Sequence, residues 1–270
     1  MKLASFAEGR WIEGGGEASE LVSAIDGSRV ATIGSATTDF GAMLRYARSV
    51  GGPALRAMTF HDRARLLKGL GQAIMARKEK LYALSAHTGA TRRDGWIDIE
   101  GGAGTLLSFS SKARRELPDA HMLLDGPLEP LSKRGSFVGQ HVFAAMHGAA
   151  VHINAFNFPV WGMLEKLAPT LLAGMPAIVK PASSTAYLCE AAVRVMVDSG
   201  LLPPGAVQLI VGGVGDLFDH LTGQDVVSFT GSATTALKLR SHPAIARESV
   251  RFVAEQDSLN ASILGPDAVP

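Results

Sequence analysis

The 270 residues of this chain carry 26 lysines and arginines against 25 aspartates and glutamates, and this near balance argues against a nucleic-acid partner. With 47% apolar residues the chain can bury a large core, yet no apolar run approaches the length of a membrane span. The single cysteine, Cys189, excludes an internal disulfide and a multi-cysteine metal site, so we predict no metal centre and a reducing, cytoplasmic location.

The first part of the chain predicts a small β region followed by helices. Residues 1–35 contain short apolar runs separated by glycine turns, and Asp26-Gly27 is a hairpin signal. Three segments then show helical spacing of apolar residues: 37–57, 59–87 and 94–115. Thr59 and Asp62 fit a capping box at the start of the second segment.

Two features interrupt this helical region. The glycines of 101–104 lie inside the third helical segment, which indicates close packing rather than a phosphate-binding loop. Residues 117–135 are rich in proline and charge and predict a connector, whereas 136–145 predict a strand. Residues 146–148 predict a turn.

Strands and helices alternate over the rest of the chain. Segment 151–180 reads as strand, helix and strand, with Gly174 ending the helix, and the two strands are expected to be parallel. The predicted strands lie near 151–155, 176–180, 206–211, 225–229 and 250–254, with helices at 184–199, 216–221 and 233–241. This alternation predicts an α/β fold with a Rossmann-like, doubly wound, mostly parallel sheet, an N-terminal β-hairpin and helices.

Several residues with chemical potential follow the predicted strands, where ligands of such sheets bind. Asn157 could donate to an oxyanion or cap the next helix, and Lys180 needs an anionic ligand or a carboxylate as its partner. Glu255 is a candidate base or a solvated strand end. The glycines in 212–215 could form a phosphate-binding loop or only a tight turn. Residues 230–232 could bind a phosphate, or Ser232 could simply be the N-cap of the next helix.

The order of these motifs is more specific than any one of them. The series INAFNFP, IVKPA, VGGVG and SFTGS, followed by a strand that ends in Glu255, resembles the aldehyde dehydrogenase superfamily along essentially the whole chain. The segments FNFPVWGMLEKLAPTLLAGMP and EQDSLNASILGPD resemble one branch of it. That branch holds the aldehyde dehydrogenase of the phenylacetate pathway and the 3,4-dehydroadipyl-CoA semialdehyde dehydrogenase of the benzoyl-CoA pathway.

The resemblance implies a role for each matching position. Asn157 would be the side-chain donor of the oxyanion hole, and Glu255 the general base that activates water. The dinucleotide site would comprise Ile153, Asn154, Ala155, Phe156, Lys180, Ala182, Ser183, Gly212, Gly213, Gly215, Phe229, Thr230, Gly231 and Ser232. Within this set, residues 153–156 would line the nicotinamide ribose and Lys180 would hold the adenosine ribose. The three glycines would border the adenine and phosphates, and residues 230–232 would contact the pyrophosphate.

The chain departs from the family pattern at two points. The family mechanism needs a cysteine thiolate some tens of residues after Glu255, and Cys189 is expected to be a buried packing residue instead. We therefore expect residues 1–270 to be the cofactor-binding domain of an N-terminal fragment, with candidate oligomerisation strands at about 130–150 and the catalytic domain absent. Ser183 stands where NAD-preferring members commonly have glutamate, which predicts NADP as the cofactor, with NAD as second choice.

The resulting hypothesis is NADP-dependent oxidation of an aldehyde by the parent enzyme, which we expect to be a homodimer. The substrate would be a CoA-linked semialdehyde of aromatic-acid catabolism or another aliphatic aldehyde. A non-catalytic dinucleotide-binding fragment is the alternative from another class. A short-chain dehydrogenase is set aside, because none of Tyr46, Tyr82 and Tyr187 has a lysine four residues later.

Overall fold

The computed structural model describes residues 1–35, 38–258, 263 and 265–266. Four short strands open the chain: β1 (Ala4–Ala7), β2 (Arg10–Glu13), β3 (Gly15–Val22) and β4 (Arg29–Ser35). Strands β1 and β2 form an antiparallel hairpin, and β3 and β4 form a separate two-stranded sheet. The turn of the second hairpin includes Gly27, whose φ of 71° favours glycine. The predicted β region is confirmed.

Five α-helices follow: α1 (Phe40–Tyr46), α2 (Gly52–Arg56), α3 (Phe60–Ala76), α4 (Lys78–Ser85) and α5 (Arg92–Glu116). The predicted helix 37–57 is divided, since a π-helical turn at Ala47–Gly51 joins α1 to α2, and residue 37 lies outside the described residues. The predicted helix 59–87 is also divided, at Arg77. The capping box of Thr59 and Asp62 at the start of α3 is confirmed.

The glycine cluster of α5 has the packing role that the sequence indicated. A Cβ atom on Gly102 would lie 3.0 Å from the Trp161 Cα and 3.2 Å from a Leu164 methyl carbon. A Cβ on Gly101 would lie 3.3 Å from the Trp161 ring. These two glycines therefore allow another helix to cross α5 at close range.

The connector predicted at 117–135 is partly wrong. Residues Leu123–Pro130 form strand β5, which pairs antiparallel with β6 (Val138–Phe143) as an isolated hairpin. Most side chains of both strands are exposed. With solvent on both faces, β5 lacks the polar–apolar alternation of a half-buried strand, and its glycine and prolines resemble a loop.

The second half of the chain builds the main sheet. Its elements are β7 (Ala150–Ile153), α6 (Trp161–Leu172), β8 (Ala177–Lys180), α7 (Ala186–Asp198), β9 (Val207–Leu209), β10 (Val226–Gly231), α8 (Ala233–Arg240), α9 (Pro243–Arg247) and β11 (Arg251–Gln256). The strand order is β11-β10-β7-β8-β9-β1-β2, and every pair from β11 to β9 is parallel. The predicted doubly wound, mostly parallel sheet is confirmed.

Three details of this half differ from the predictions. The helix predicted at 216–221 is a 3₁₀ turn at Leu217–His220. The strand predicted near 225–229 is longer than expected, because pairing with β11 continues through Thr230 and Gly231, which belong to β10. Helix α9 was not predicted, because its five residues are too few to show a period.

Hydrophobic clusters cover both faces of the sheet. The larger cluster joins the sheet to α3, α5, α6 and α7, and the smaller one joins the other face to α1, Leu217–His220 and α9. The chain runs from β7 outward to β9 and then returns to form β10 on the other side of β7. This reversal opens a crevice at the carboxyl ends of β7 and β10, the usual ligand position in such sheets.

Candidate active site

The strand register brings the predicted site residues into neighbouring rows across the sheet. Ile153 of β7 pairs with Lys180 of β8 on one side and with Phe229 of β10 on the other. In the next row, Thr230 of β10 pairs with Glu255 of β11. Residues distant in sequence therefore meet at one edge because parallel strands present their carboxyl ends together.

Lys180 lies half-buried at the end of β8. Burial lowers the pKa of its ammonium group, and its Nζ donates to the Pro181 carbonyl at 2.5 Å. Within the described part of the chain, no carboxylate lies within ion-pair distance of this ammonium. Ala182 is half-buried and Ser183 exposed just beyond it.

The end of β7 contains a buried polar side chain with unsatisfied atoms. Asn154 is 4% exposed, and neither its amide oxygen nor its amide nitrogen has a hydrogen-bond partner among the described residues. Its backbone N–H donates to the Lys180 carbonyl at 3.0 Å. Since burying an unpaired amide is costly, this side chain is well suited to a polar ligand. Ala155 is half-buried and Phe156 is exposed after it.

The glycine turn after β9 is explained largely by local geometry. Gly212 has a φ of 108° and Gly215 a φ of 44°, and a Cβ on Gly215 would lie 2.7 Å from the Phe40 ring. Gly213 differs from them, because a Cβ there would meet nothing within 4 Å. Gly213 therefore offers an open backbone surface to a ligand.

The start of α8 already has two caps. The Ser232 hydroxyl accepts from the Thr235 N–H at 3.3 Å, and the Asp257 carboxylate accepts from the Ala233 N–H at 2.9 Å. The N-cap that the sequence suggested at Ser232 is therefore present, and a pyrophosphate here would compete with Asp257. Sequence reasoning missed Asp257, which reaches α8 from the end of β11.

Phe229 and Gly231 pack against each other at the carboxyl end of β10. The Phe229 side chain is 4% exposed, and a Cβ on Gly231 would lie 2.6 Å from its ring. Gly231 thus leaves room for the buried ring. Phe229 offers little of its own surface to a cofactor.

Asn157 and Glu255, the two residues expected to perform catalysis, line the same cleft of about 220 Å³. Both are exposed to solvent. The Thr230 hydroxyl donates to a Glu255 carboxylate oxygen at 3.3 Å, which restricts the position of this carboxylate. The other lining residues are Ala155, Phe158, Trp161, Gly162, Glu165 and Thr230. An amide donor and a carboxylate acceptor therefore face a common space beside aromatic walls.

Asn157 does not cap the helix that follows it, although the sequence left this reading open. Among the described residues, Asp98 of α5 provides this cap: its carboxylate accepts hydrogen bonds from the Val160 N–H at 3.0 Å and from the Trp161 N–H at 2.7 Å. Asp98 is 4% exposed, and its burial raises the pKa of the carboxyl to about 6. Sequence reasoning missed Asp98, because nothing in its local pattern points to a partner about sixty residues later.

The Cys189 thiol is unsuited to nucleophilic attack. Its side chain is fully buried in α7, and Sγ donates to the Pro159 carbonyl at 3.0 Å. Burial raises the pKa of this thiol far above its ordinary value. The structure agrees with the prediction that Cys189 is a packing residue.

The described ranges contain no group of three or more side chains that could hold a metal ion. They also contain no helix with the length and apolar character needed to cross a membrane.

Residues 11–269 match the Aldehyde dehydrogenase family. The chain belongs to this family. It is 43% identical to the 3,4-dehydroadipyl-CoA semialdehyde dehydrogenase of Aromatoleum evansii over 100% of this chain and 52% of that relative. It is 28% identical to the D-glyceraldehyde dehydrogenase (NADP(+)) of Picrophilus torridus over 67% of this chain and 36% of that relative. The chain thus spans about half the length of the Aromatoleum evansii relative.

Solved structures of aldehyde dehydrogenases have the same fold. A 3,6-anhydro-L-galactose dehydrogenase in complex with NAP superposes with a TM-score of 0.80 at 23% identity, over 95% of this chain and 52% of that one. PnpE in complex with nicotinamide adenine dinucleotide gives a TM-score of 0.80 at 25% identity, over 95% and 51%.

Proposed function

We propose that this protein oxidises an aldehyde to the carboxylic acid by way of a cysteine thioester, with NADP as the electron acceptor. The observation that carries the proposal is the cleft shared by Asn157 and Glu255 at the carboxyl edge of the sheet. It supplies a hydrogen-bond donor for a carbonyl oxygen and a carboxylate for a water proton. The chain's membership of the aldehyde dehydrogenase family supports the same reaction class.

Each of the two residues has one task. When a thiolate adds to the aldehyde carbon, the carbonyl oxygen becomes an oxyanion, and the Asn157 amide N–H stabilises it by donating a hydrogen bond. When water attacks the thioester, Glu255 accepts the proton, the new C–O bond forms and the C–S bond breaks, which returns the thiolate. Exposure of Glu255 gives this water access, and Thr230 holds the carboxylate.

The residues at the sheet edge fit a nicotinamide dinucleotide. This group, when bound, supplies the acceptor for the hydride that leaves the aldehyde carbon. Lys180 offers an ammonium without an acidic partner in the described part of the chain, and Asn154 offers a buried amide with both polar atoms unpaired. Ser183 supplies a hydroxyl where a carboxylate would repel a 2′-phosphate, which favours NADP.

The thiolate must come from outside residues 1–270 if this mechanism applies. Cys189 is the single cysteine of the sequence and is buried away from the cleft in α7. Residues 1–270 would then contribute the cofactor site, the oxyanion donor and the base.

For the substrate we propose a CoA-linked semialdehyde, with another aliphatic aldehyde as the alternative. The support is the 43% identity to the Aromatoleum evansii relative across this whole chain. The cleft gives further support, because Phe158 and Trp161 provide apolar surface beside Asn157 and Glu255.

We also propose that the protein forms a homodimer through the β5–β6 hairpin. Its exposed apolar side chains include Leu124, Leu128, Val142 and Phe143, and such a concentration of apolar surface is typical of an interface. The hairpin spans 123–143 and overlaps the candidate oligomerisation strands expected at about 130–150. A reducing, cytoplasmic location is proposed on the strength of the single free cysteine.

Replacement of Glu255 by glutamine tests the mechanism in the full-length gene product. Loss of the base slows thioester hydrolysis by a factor on the order of 10²–10⁴ and leaves the first turnover intact. Rapid mixing with aldehyde and NADP should therefore give a burst of one NADPH per active site, followed by slow turnover. Loss of the burst together with steady-state turnover would show that Glu255 acts before hydride transfer, contrary to the proposal.

A further inference from the structure

A buried carboxylate from a distant helix holds the turn that carries Asn157. Asp98 Oδ1 accepts from the Val160 N–H at 3.0 Å and from the Trp161 N–H at 2.7 Å. The second oxygen of Asp98 lies 3.3 Å from the Val160 nitrogen. These bonds join α5 to the start of α6, three residues after Asn157.

The local sequence cannot supply this cap. The residue at the N-cap position of α6 is Val160, which has no side-chain acceptor, and α6 has no cap from its own flanking side chains. Pro159 has no N–H, and its carbonyl accepts from the buried Cys189 thiol. Asp98 and Cys189 therefore hold the turn from the protein interior, while the side chain of Asn157 remains exposed in the cleft.

The Asp98 carboxyl is buried where it binds the turn. Burial raises the pKa of Asp98, whereas the hydrogen bonds that it accepts from the Trp161 and Val160 N–H groups lower that pKa. The Asp98 charge helps to raise the pKa of the buried Cys189 thiol, and the Lys180 charge acts on that thiol in the opposite direction. A neutral acceptor such as asparagine would satisfy the same N–H groups at a lower desolvation cost.

We propose that Asp98 is a positioning residue of the aldehyde site, which fixes the 157–161 turn so that Asn157 and the Trp161 ring keep their places in the cleft. This inference rests on the proposed function, because it assigns Asp98 to the same oxyanion-stabilising step. Asp98 acts only through the turn. Its loss should therefore lower kcat and leave the KM for the dinucleotide unchanged.

The experiment compares Asp98→Ala, Asn157→Ala and the double variant in the full-length gene product. Removal of one oxyanion donor typically lowers kcat by about 10²–10³, so Asn157→Ala should fall in that range. Asp98→Ala should lower kcat at least tenfold, and it should cause no further loss in the Asn157→Ala background, since the two side chains act in one step. Asp98→Asn should restore most of kcat, because its side-chain oxygen can accept from the same N–H groups.

Asp62→Ala is the matched control for lost capping. Asp62 completes the capping box of α3, so its removal should lower thermal stability without lowering the kcat of the folded enzyme. Where Asp98→Ala does not fold, Asp98→Glu serves instead, because it retains the acceptor and displaces the turn, and a lowered kcat is again expected.

Three results would overturn the inference. Normal kcat in Asp98→Ala beside an impaired Asn157→Ala would leave the proposed function standing and remove Asp98 from it. Losses that multiply in the double variant would show that Asp98 acts independently of Asn157. Normal kcat in Asn157→Ala would refute the oxyanion assignment and this inference together.

Discussion

Cofactor choice gives the sharpest prediction, because our proposal assigns it to one exposed side chain. Ser183 lies at the start of a 3₁₀ turn immediately after the Lys180 strand end, and its side chain is exposed. Glutamate at this position requires no repacking of the core. Ser183→Glu should therefore change the electrostatics of the adenosine ribose site and leave the fold intact.

The magnitude follows from two contributions. Two unit charges about 4 Å apart repel by about 1 kcal/mol in water and about 4 kcal/mol near a protein surface, so a carboxylate beside a 2′-phosphate costs a value in this range. The same carboxylate accepts a hydrogen bond from the ribose hydroxyl of NAD, worth about 1.5–3 kcal/mol. Because Ser183 is exposed, the lower ends of both ranges apply. Together they favour NAD by about 2.5–3 kcal/mol, which corresponds to a change of about 10² in relative specificity.

The assay is the ratio of kcat/KM for NADP to kcat/KM for NAD in the full-length gene product. The wild-type ratio should exceed ten, and Ser183→Glu should lower it about a hundredfold. Ser184→Glu is the matched control, since it adds the same charge to the next exposed residue. An unchanged ratio in Ser183→Glu, or an equal shift in both variants, would mean that Ser183 does not face the ribose.

Three further predictions concern stability and the nucleophile. The pKa of Asp98 rises from 3.8 to about 6 on folding, so its contribution to stability is fully present below about pH 4 and is lost as the pH rises through 6. Urea unfolding at pH 4 and at pH 7 measures this loss. Between these two pH values the free energy of unfolding of Asp98→Asn should increase by about 3 kcal/mol relative to that of the wild type. Gly102→Ala should destabilise the fold by about 1–3 kcal/mol because of the contact with Trp161, whereas Gly104→Ala, with nothing within 4 Å, should stabilise it by about 0.5–1 kcal/mol. Cys189→Ser should leave the kcat of the full-length gene product within about twofold of wild type, because serine keeps a donor for the Pro159 carbonyl. Loss of turnover would contradict the assignment of Cys189 as a packing residue.

The sequence predicted the main sheet well because each strand produces a local pattern. Strands β7 to β11 are short apolar runs bounded by glycine, proline or charge, and each lies within a few residues of its predicted position. Hairpin β5–β6 was harder to predict because both its faces are exposed. A strand without a buried face has no alternation, so its glycine and prolines dominate the reading.

In the candidate site, too, some residues could be predicted from the sequence and others could not. Residues at strand ends, such as Lys180 and Glu255, could be predicted because a parallel sheet fixes where strand ends meet. Residues that support them across the fold could not. Asp98 caps a helix about sixty residues later, and Asp257 caps α8 from the end of another strand. Both bonds depend on tertiary packing, which a local pattern does not encode.

The helix caps formed by Asp257 and Asp98 affect which groups near the cleft remain available to a ligand. Asp257 occupies an N–H group at the helix terminus where a pyrophosphate was expected, whereas Asp98 relieves Asn157 of a capping task. A helix cap would engage the Asn157 amide oxygen as an acceptor and would thereby fix the direction of the amide N–H groups, which are the donors that an oxyanion needs. By assigning the α6 cap to a buried residue on α5, the fold leaves the Asn157 amide exposed in the cleft. That separation of structural and chemical tasks is the physical reason to treat Asn157, rather than its neighbours in the turn, as the donor.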